Sequence, residues 1–387
     1  MGLNRKGAPH GEHPFCLAPS TALEWVLVRK NLDGQMMQAL RDLQQTQGAT
    51  LTSEGVPLSF GPDNDAFRAV STGAVMVDRS HWGLIQMSGR DRLRFLHNQT
   101  TNTFTERKPG EGCDTVFVTS TARTIDLATV YVTDDGLLML TSPGQDQRLL
   151  DWMERYIFPA DQVSLTNLTG SMAVFSLMGP GSAACLETLG TVLESELPYA
   201  HHRRVNVGAL SVRLAAGSGL TVAGYTLLVP AEAAAPVWQQ LTDTGVTPAG
   251  EAFWQQLRVQ QGRPAPGCEL TDDYNPLEAG LWEAISFSKG CYIGQETIAR
   301  LNTYQGVKQQ LWGIHLSGTA NPGEAIFAGD EKVGLLTSVV DTPEGPRGLG
   351  YIRTKAGGAG LEVTIGEAKG VVVDVPFLAR GYLTVSN

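Results

Sequence analysis

One thiol stands between two glycines in Lys289-Gly290-Cys291-Tyr292-Ile293-Gly294-Gln295-Glu296, two residues after a lysine and just ahead of a helix start. The thiolate is the reactive form of cysteine, and a nearby ammonium or helix N-terminus lowers the thiol's pKa. Gly290 and Gly294 can take φ > 0 and leave room for a reactant to approach the sulfur. The stretch reads as a presented thiol. A loop-to-helix junction with a small residue in the middle has the same spacing, and spacing alone does not separate the two.

The chain has 387 residues, enough for two or three domains. Its formal net charge of −10 repels phosphate backbones, and no segment clusters enough Lys and Arg for a nucleic-acid stripe. Arg90, Arg92 and Arg94, and the run His201-His202-Arg203-Arg204, read as solvated faces. The five cysteines (16, 113, 185, 268 and 291) form no CxxC and are odd in number, which fits a reducing cytosol better than a disulfide framework. No apolar run approaches a membrane span, and the first thirty residues lack the apolar core of a secretory signal. His10, His13 and Cys16 share an i, i+3, i+6 spacing, but residues 1–33 as a whole read as a disordered extension.

Helical periodicity covers Met36–Gln47 and stops at Gly48. Ala74–Ser88 alternates like paired strands around Asp78–Gly83, and Arg92–Asn98 reads as a short helix. Val116–Thr119 and Thr124–Thr133 are β-rich, and Asp135-Gly136 before Leu137–Thr141 signals a hairpin. Strands and helices mix without β-α-β alternation, so the fold class is α+β. No GxGxxG and no Walker loop marks a nucleotide site. Past Gln305, short strands spaced by Gly/Pro turns predict a small β-barrel, giving a body over 34–304, with a possible subdomain boundary near 165–205, and a barrel over 305–387.

Taken together, Asp272-Asp273-Tyr274-Asn275-Pro276-Leu277-Glu278-Ala279-Gly280-Leu281 and the Lys289–Glu296 block closely resemble the YgfZ branch of the folate-binding proteins related to the glycine-cleavage T-protein. Asp78–Gly83, Ser88–Asp91, Phe95–Asn102, Met178-Gly179-Pro180 and Gly262–Leu270 match in order, so the resemblance runs from about Leu58 to Leu383. It implies an aminomethyltransferase-like body of mixed-sheet subdomains around a central folate cleft, followed by a barrel. It also implies tetrahydrofolate binding and work in iron–sulfur cluster assembly or repair, with iron–sulfur client or assembly proteins as partners. Effects on iron–sulfur-dependent tRNA modification follow only indirectly, and a cytoplasmic monomer that touches neither nucleic acid nor membrane is expected. The other function the resemblance allows is a folate-dependent aminomethyltransferase or demethylase.

The resemblance places Cys291 and Lys289 at the reactive centre, with Gly290, Tyr292, Gly294, Gln295 and Glu296 completing the motif. The T-protein usually has an acid where Cys291 stands, and a pair of aspartates where this chain keeps Asp126 alone. Its glutamate-containing pterin segment aligns near Ala216–Thr221, where no carboxylate stands. For the folate contacts we expect Asp126 as acceptor for the pterin N–H groups, Arg258 for the tail or a ring carbonyl, and Asn102 in the wall. A strand-end acid held by backbone amides, and a surface ion pair, are the structural alternatives for Asp126 and Arg258. One cysteine cannot hold a cluster that takes four protein ligands, so Cys291 would share iron with a partner, exchange sulfur, or sense redox state.

Overall fold

The computed structural model describes residues 22–193 and 197–381. The disorder expected for residues 1–33 and the His10/His13/Cys16 spacing fall, as far as residue 21, outside the described residues. From Ala22 the chain is a single helix to Thr46, so the helix expected at Met36 begins earlier; it stops at Gly48, whose φ is +94°. Its inner face is tied to the body through Asp78, whose buried carboxylate accepts from Arg41 and from Gln44 Nε2 (2.8 Å).

Two antiparallel-dominated sheets form the body. The first has six strands in the order His202–Val207, Leu210–Ala216, Gly224–Pro230, Met172–Met178, Val75–Asp78 and Thr247–Ala249, only the last pair being parallel. The second has five, ordered Gly112–Val118, Thr124–Val132, Gly136–Thr141, Gly83–Ser88 and Ser164–Asn167. The hairpin expected at Asp135-Gly136 is present, with Val132 opposite Leu137. Val75–Asp78 and Gly83–Ser88, expected to pair with each other, instead belong to different sheets. The stretch Asp78–Gly83 is therefore the crossover between the two sheets, held by Ser80, whose amide and hydroxyl both donate to Asp78 Oδ1.

Six strands then close a barrel in the order Gln309–Leu316, Arg347–Arg353, Glu331–Val340, Ala325–Ala328, Glu362–Ile365 and Ala368–Val373, the last pairing back onto the first. The expected α+β body with a C-terminal β-barrel is what the chain forms, with Glu362–Ile365 as a strand the sequence pattern did not show. Closure removes the exposed edges that short strands would otherwise present. Glycines make the barrel tight: a Cβ at Gly350 would lie 2.8 Å from Ile326 and 2.9 Å from the Leu335 carbonyl.

Candidate functional site

The strand Thr124–Val132 is buried along its whole length, and its two faces do different work. Ala128, Val130 and Val132 pack into the core with Phe95, Leu96, Phe117 and Leu149. Leu127 and Thr129 point the other way, Leu127 lining a cavity of about 950 Å³. Successive strand residues alternate between faces, so Asp126 shares the core side with Ala128. It has no exposed surface and does not line the cavity. Its Oδ2 accepts the Ser142 amide (2.9 Å), its Oδ1 has no partner, and burial pushes its pKa up to about 6 against those hydrogen bonds. Asp126, expected as an acceptor for the pterin, therefore faces the core and not this cavity.

Two acids line the cavity, exposed Glu283 and, opposite Thr129 on the neighbouring strand Gly112–Val118, Asp114. Thr129 Oγ1 donates to its Oδ1 (2.6 Å), and the Tyr199 hydroxyl lies 3.0 and 2.9 Å from its two oxygens. Burial raises its pKa, opposed chiefly by the Arg263 charge and then by these two hydroxyls. Asp114 is not marked by the sequence pattern, because the β-rich run begins at Val116 and leaves the acid ahead of it. The one available signal was a lone carboxylate in the alternating run Gly112-Cys113-Asp114-Thr115-Val116.

Four segments contribute walls: Gly112–Asp114 and Leu127 from the five-stranded sheet, residues of Ala216–Tyr225 from the six-stranded sheet, Gly280–Ala284 from the connection, and Pro376, Phe377 and Ala379 after the barrel. Gly217 has φ +97°, and a Cβ there would lie 2.6 Å from the Tyr199 ring, so only glycine lets that ring lie across the wall. Asn102 lines the cavity. Its Nδ2 donates to the Asp114 carbonyl (2.7 Å) and its Oδ1 accepts the Thr103 amide (2.8 Å).

Arg258 lies elsewhere, in the junction between body and barrel. It is buried, with Nη1 3.0 Å from Glu269 Oε2 and Nη2 donating to Ser338 Oγ (3.0 Å). Glu269 also accepts from Thr337 Oγ1 (2.7 Å) and Ser338 Oγ (2.6 Å). Tyr274 stacks on barrel residue Tyr351 with centroids 3.5 Å apart, and Tyr351 donates to the Glu269 carbonyl (2.8 Å). Arg258 is neither a cleft residue nor a surface ion pair; it pins the barrel to the body.

Cys291 is exposed in the loop before the helix Gln295–Thr303. Gly294 takes φ +81° immediately before the helix Gln295–Thr303, and a Cβ there would lie 2.7 Å from the Thr119 carbonyl. Gly290 needs no left-handed backbone; its open side faces His97 Nε2, 4.0 Å from a built Cβ. Glu296 is exposed in the first turn of the helix, Gln295 Nε2 donates to the Lys289 carbonyl (3.3 Å), and the Tyr292 ring packs with Leu277, Trp282 and Ile298.

Lys289 turns inward. Its ammonium donates to the carbonyls of His97, Thr100 (2.7 Å) and Asn102 (2.6 Å), and lies 4.7 Å from the Tyr292 ring centroid. These carbonyls close the C-terminus of the helix Arg92–Gln99 and the turn after it, where free acceptors are left over. Burial pushes the Lys289 pKa down to about 7, yet each of its three protons has an acceptor, so the site is built for the charged form. Lys289 therefore anchors the thiol loop to the helix end rather than standing free beside the sulfur. Through Asn102 it also joins that loop to the cavity wall.

A family model described as the GCVT N-terminal domain matches residues 46–289, and the chain belongs to that family. A chloroplastic Arabidopsis thaliana protein named as a putative transferase is 42% identical over 349 residues, covering 89% of this chain and 81% of the relative. The aminomethyltransferase of Halalkalibacterium halodurans is 27% identical over 359 residues, covering 88% of this chain and 98% of that protein. The crystal structure of glycine cleavage system aminomethyltransferase T from Bartonella henselae superposes with a TM-score of 0.78 at 20% identity, covering 89% of this chain and 99% of that one. The aminomethyltransferase-like fold expected from the sequence is thus present. Tetrahydrofolate is the folate that the aminomethyltransferases of this family use.

Proposed function

We propose that this chain binds tetrahydrofolate in this cavity and acts as a folate-dependent one-carbon transferase of the aminomethyltransferase type. The observation that carries the reading is the Asp114 carboxylate, presented to a cavity of ligand size by Thr129 and Tyr199. A carboxylate there accepts the N3–H and 2-amino protons of a pterin as a charge-assisted pair. Asn102 fixes the strand beneath it, and Leu127, Leu220 and Phe377 supply apolar wall. Tetrahydrofolate, when bound, supplies the one-carbon acceptor; this chain's residues orient the ring and exclude water from it. The family membership and the aminomethyltransferase relatives support this reading.

A second reading is favoured by one observation, the exposure of Cys291 at the tip of a loop whose lysine and second glycine are both fixed. A thiol so held suits work on an iron–sulfur client or assembly partner, with effects on iron–sulfur-dependent tRNA modification following from it. The scattered free thiols suit a reducing compartment, cytosol or organelle.

Calorimetric titration of tetrahydrofolate tests the binding. Wild type and Asp126→Asn should bind alike, and Asp114→Asn at least tenfold more weakly; equal binding by Asp114→Asn refutes the site. An aminomethyl-transfer assay on Cys291→Ala then separates the two readings. Turnover retained supports the transferase, whereas an iron–sulfur enzyme defect in cells carrying Cys291→Ala supports the second.

A further inference from the structure

The wall Gly217–Leu220 has two buried cations directly behind it. Arg79 is 1% exposed and Arg263 4%. Arg263 Nη1 donates to the Gly219 carbonyl (3.0 Å), and a Cβ at Gly219 would lie 2.8 Å from Arg79 Nη1. Among the described residues neither guanidinium forms an ion pair. Arg79 Nη2 donates to Thr226 Oγ1 (3.2 Å) and its Nε has no partner. Both are held by aromatic faces instead: Arg79 lies 4.6 Å from the Trp82 centroid and 4.8 Å from that of Trp254, and Arg263 5.3 Å from Trp82 and 5.2 Å from Phe377. Ring quadrupoles stabilise such cations without neutralising them. Nearby countercharges are Asp114, joined to this wall through Tyr199, whose hydroxyl meets its carboxylate and whose ring lies against Gly217, and Glu251, whose own carboxyl is raised by burial and lies 3.4 Å from His81.

We propose that this wall selects a hydrogen-bond acceptor on the ligand: with Asp114 beside it, it takes the 4-oxo edge of a pteridine ring and rejects a 4-amino group. The proposal rests on the tetrahydrofolate reading above and adds the ring's orientation and specificity. The 4-oxo edge presents two donors, the 2-amino group and N3–H, followed by one acceptor, O4. Asp114 complements the donors, and the positive potential of Arg79 and Arg263, little screened at this depth, complements O4. A 2,4-diamino ring puts a donor where O4 stood and turns it toward two cations. The folate tail does not suit this wall, because its carboxylates need water and both arginines lie beneath aromatic rings. Sites built to hydrogen-bond a group discriminate strongly against an analogue that reverses the pattern.

The test is competitive calorimetry on the full chain with tetrahydrofolate and the tetrahydro form of aminopterin, its 2,4-diamino counterpart. Wild type should prefer the 4-oxo compound at least tenfold, and tetrahydropteroate, which lacks the glutamate tail, should keep that preference. Arg263→Met should shrink the preference to within threefold. Equal or tighter binding of the 4-amino compound by wild type overturns the inference while leaving the folate site standing, and requires no variant to fold. No binding of tetrahydrofolate by wild type overturns the folate reading and this inference with it.

Discussion

Asp126→Asn should make the protein more stable at alkaline pH and flatten its stability profile, without touching ligand binding. The Asp126 carboxyl is fully buried, keeps one hydrogen bond from the Ser142 amide and leaves Oδ1 unpaired, so folding raises its pKa from an ordinary 3.8 to about 6. A carboxyl raised by folding stabilises most where it is protonated in both states, and that stability is lost as pH rises from 3.8 through the folded value. At about 1.4 kcal/mol per pH unit, the full loss above pH 6 is about 3 kcal/mol. Roughly half of that loss falls between pH 5 and pH 8 by the same linkage. Asparagine keeps an acceptor for Ser142 and carries no charge, so this part of the pH dependence disappears, less about 1–2 kcal/mol for a buried amide N–H lacking an acceptor. Asp114 and Glu251, also raised by burial, are present in both proteins and cancel in the difference. Urea midpoints of wild type and Asp126→Asn at pH 5, 6, 7 and 8, followed by tryptophan fluorescence, give the comparison. Parallel profiles would refute the argument, as would loss of tetrahydrofolate affinity in the variant.

Two further outcomes follow from the geometry. Native alkylation with iodoacetamide and peptide mapping should label exposed Cys291 well before Cys113, whose thiol burial pushes up to about 12; equal labelling would show that the thiol loop is not presented. Arg258→Met should destabilise by about 3–5 kcal/mol, because it leaves the Glu269 carboxylate buried without its cation, while tetrahydrofolate affinity stays within twofold. A thermal melt beside a titration checks both halves, and a binding loss in a well-folded variant would return Arg258 to the cleft.

Much of this protein was fixed locally and could be read from the chain. Gly294 is required where the backbone turns left-handed against the Thr119 carbonyl, and the next residue opens the helix, so the thiol loop is a local consequence of its own residues. The Asp135-Gly136 hairpin and most of the barrel strands were legible for the same reason, since turn chemistry and apolar alternation act over a few residues. Which partner a charge meets is not local. Lys289 meets three carbonyls nearly two hundred residues earlier in the chain, and Arg258 reaches Ser338 across a domain junction. Asp126 and Asp114 are both acids in adjacent strands, and only the register that sets Asp114 opposite Thr129 turns one toward the cavity and the other into the core. Sequence determined that this strand pair carries acids at all. The tertiary structure decided which one faces the cavity, because a strand's faces alternate residue by residue and only the packed sheet defines which face is the cavity side.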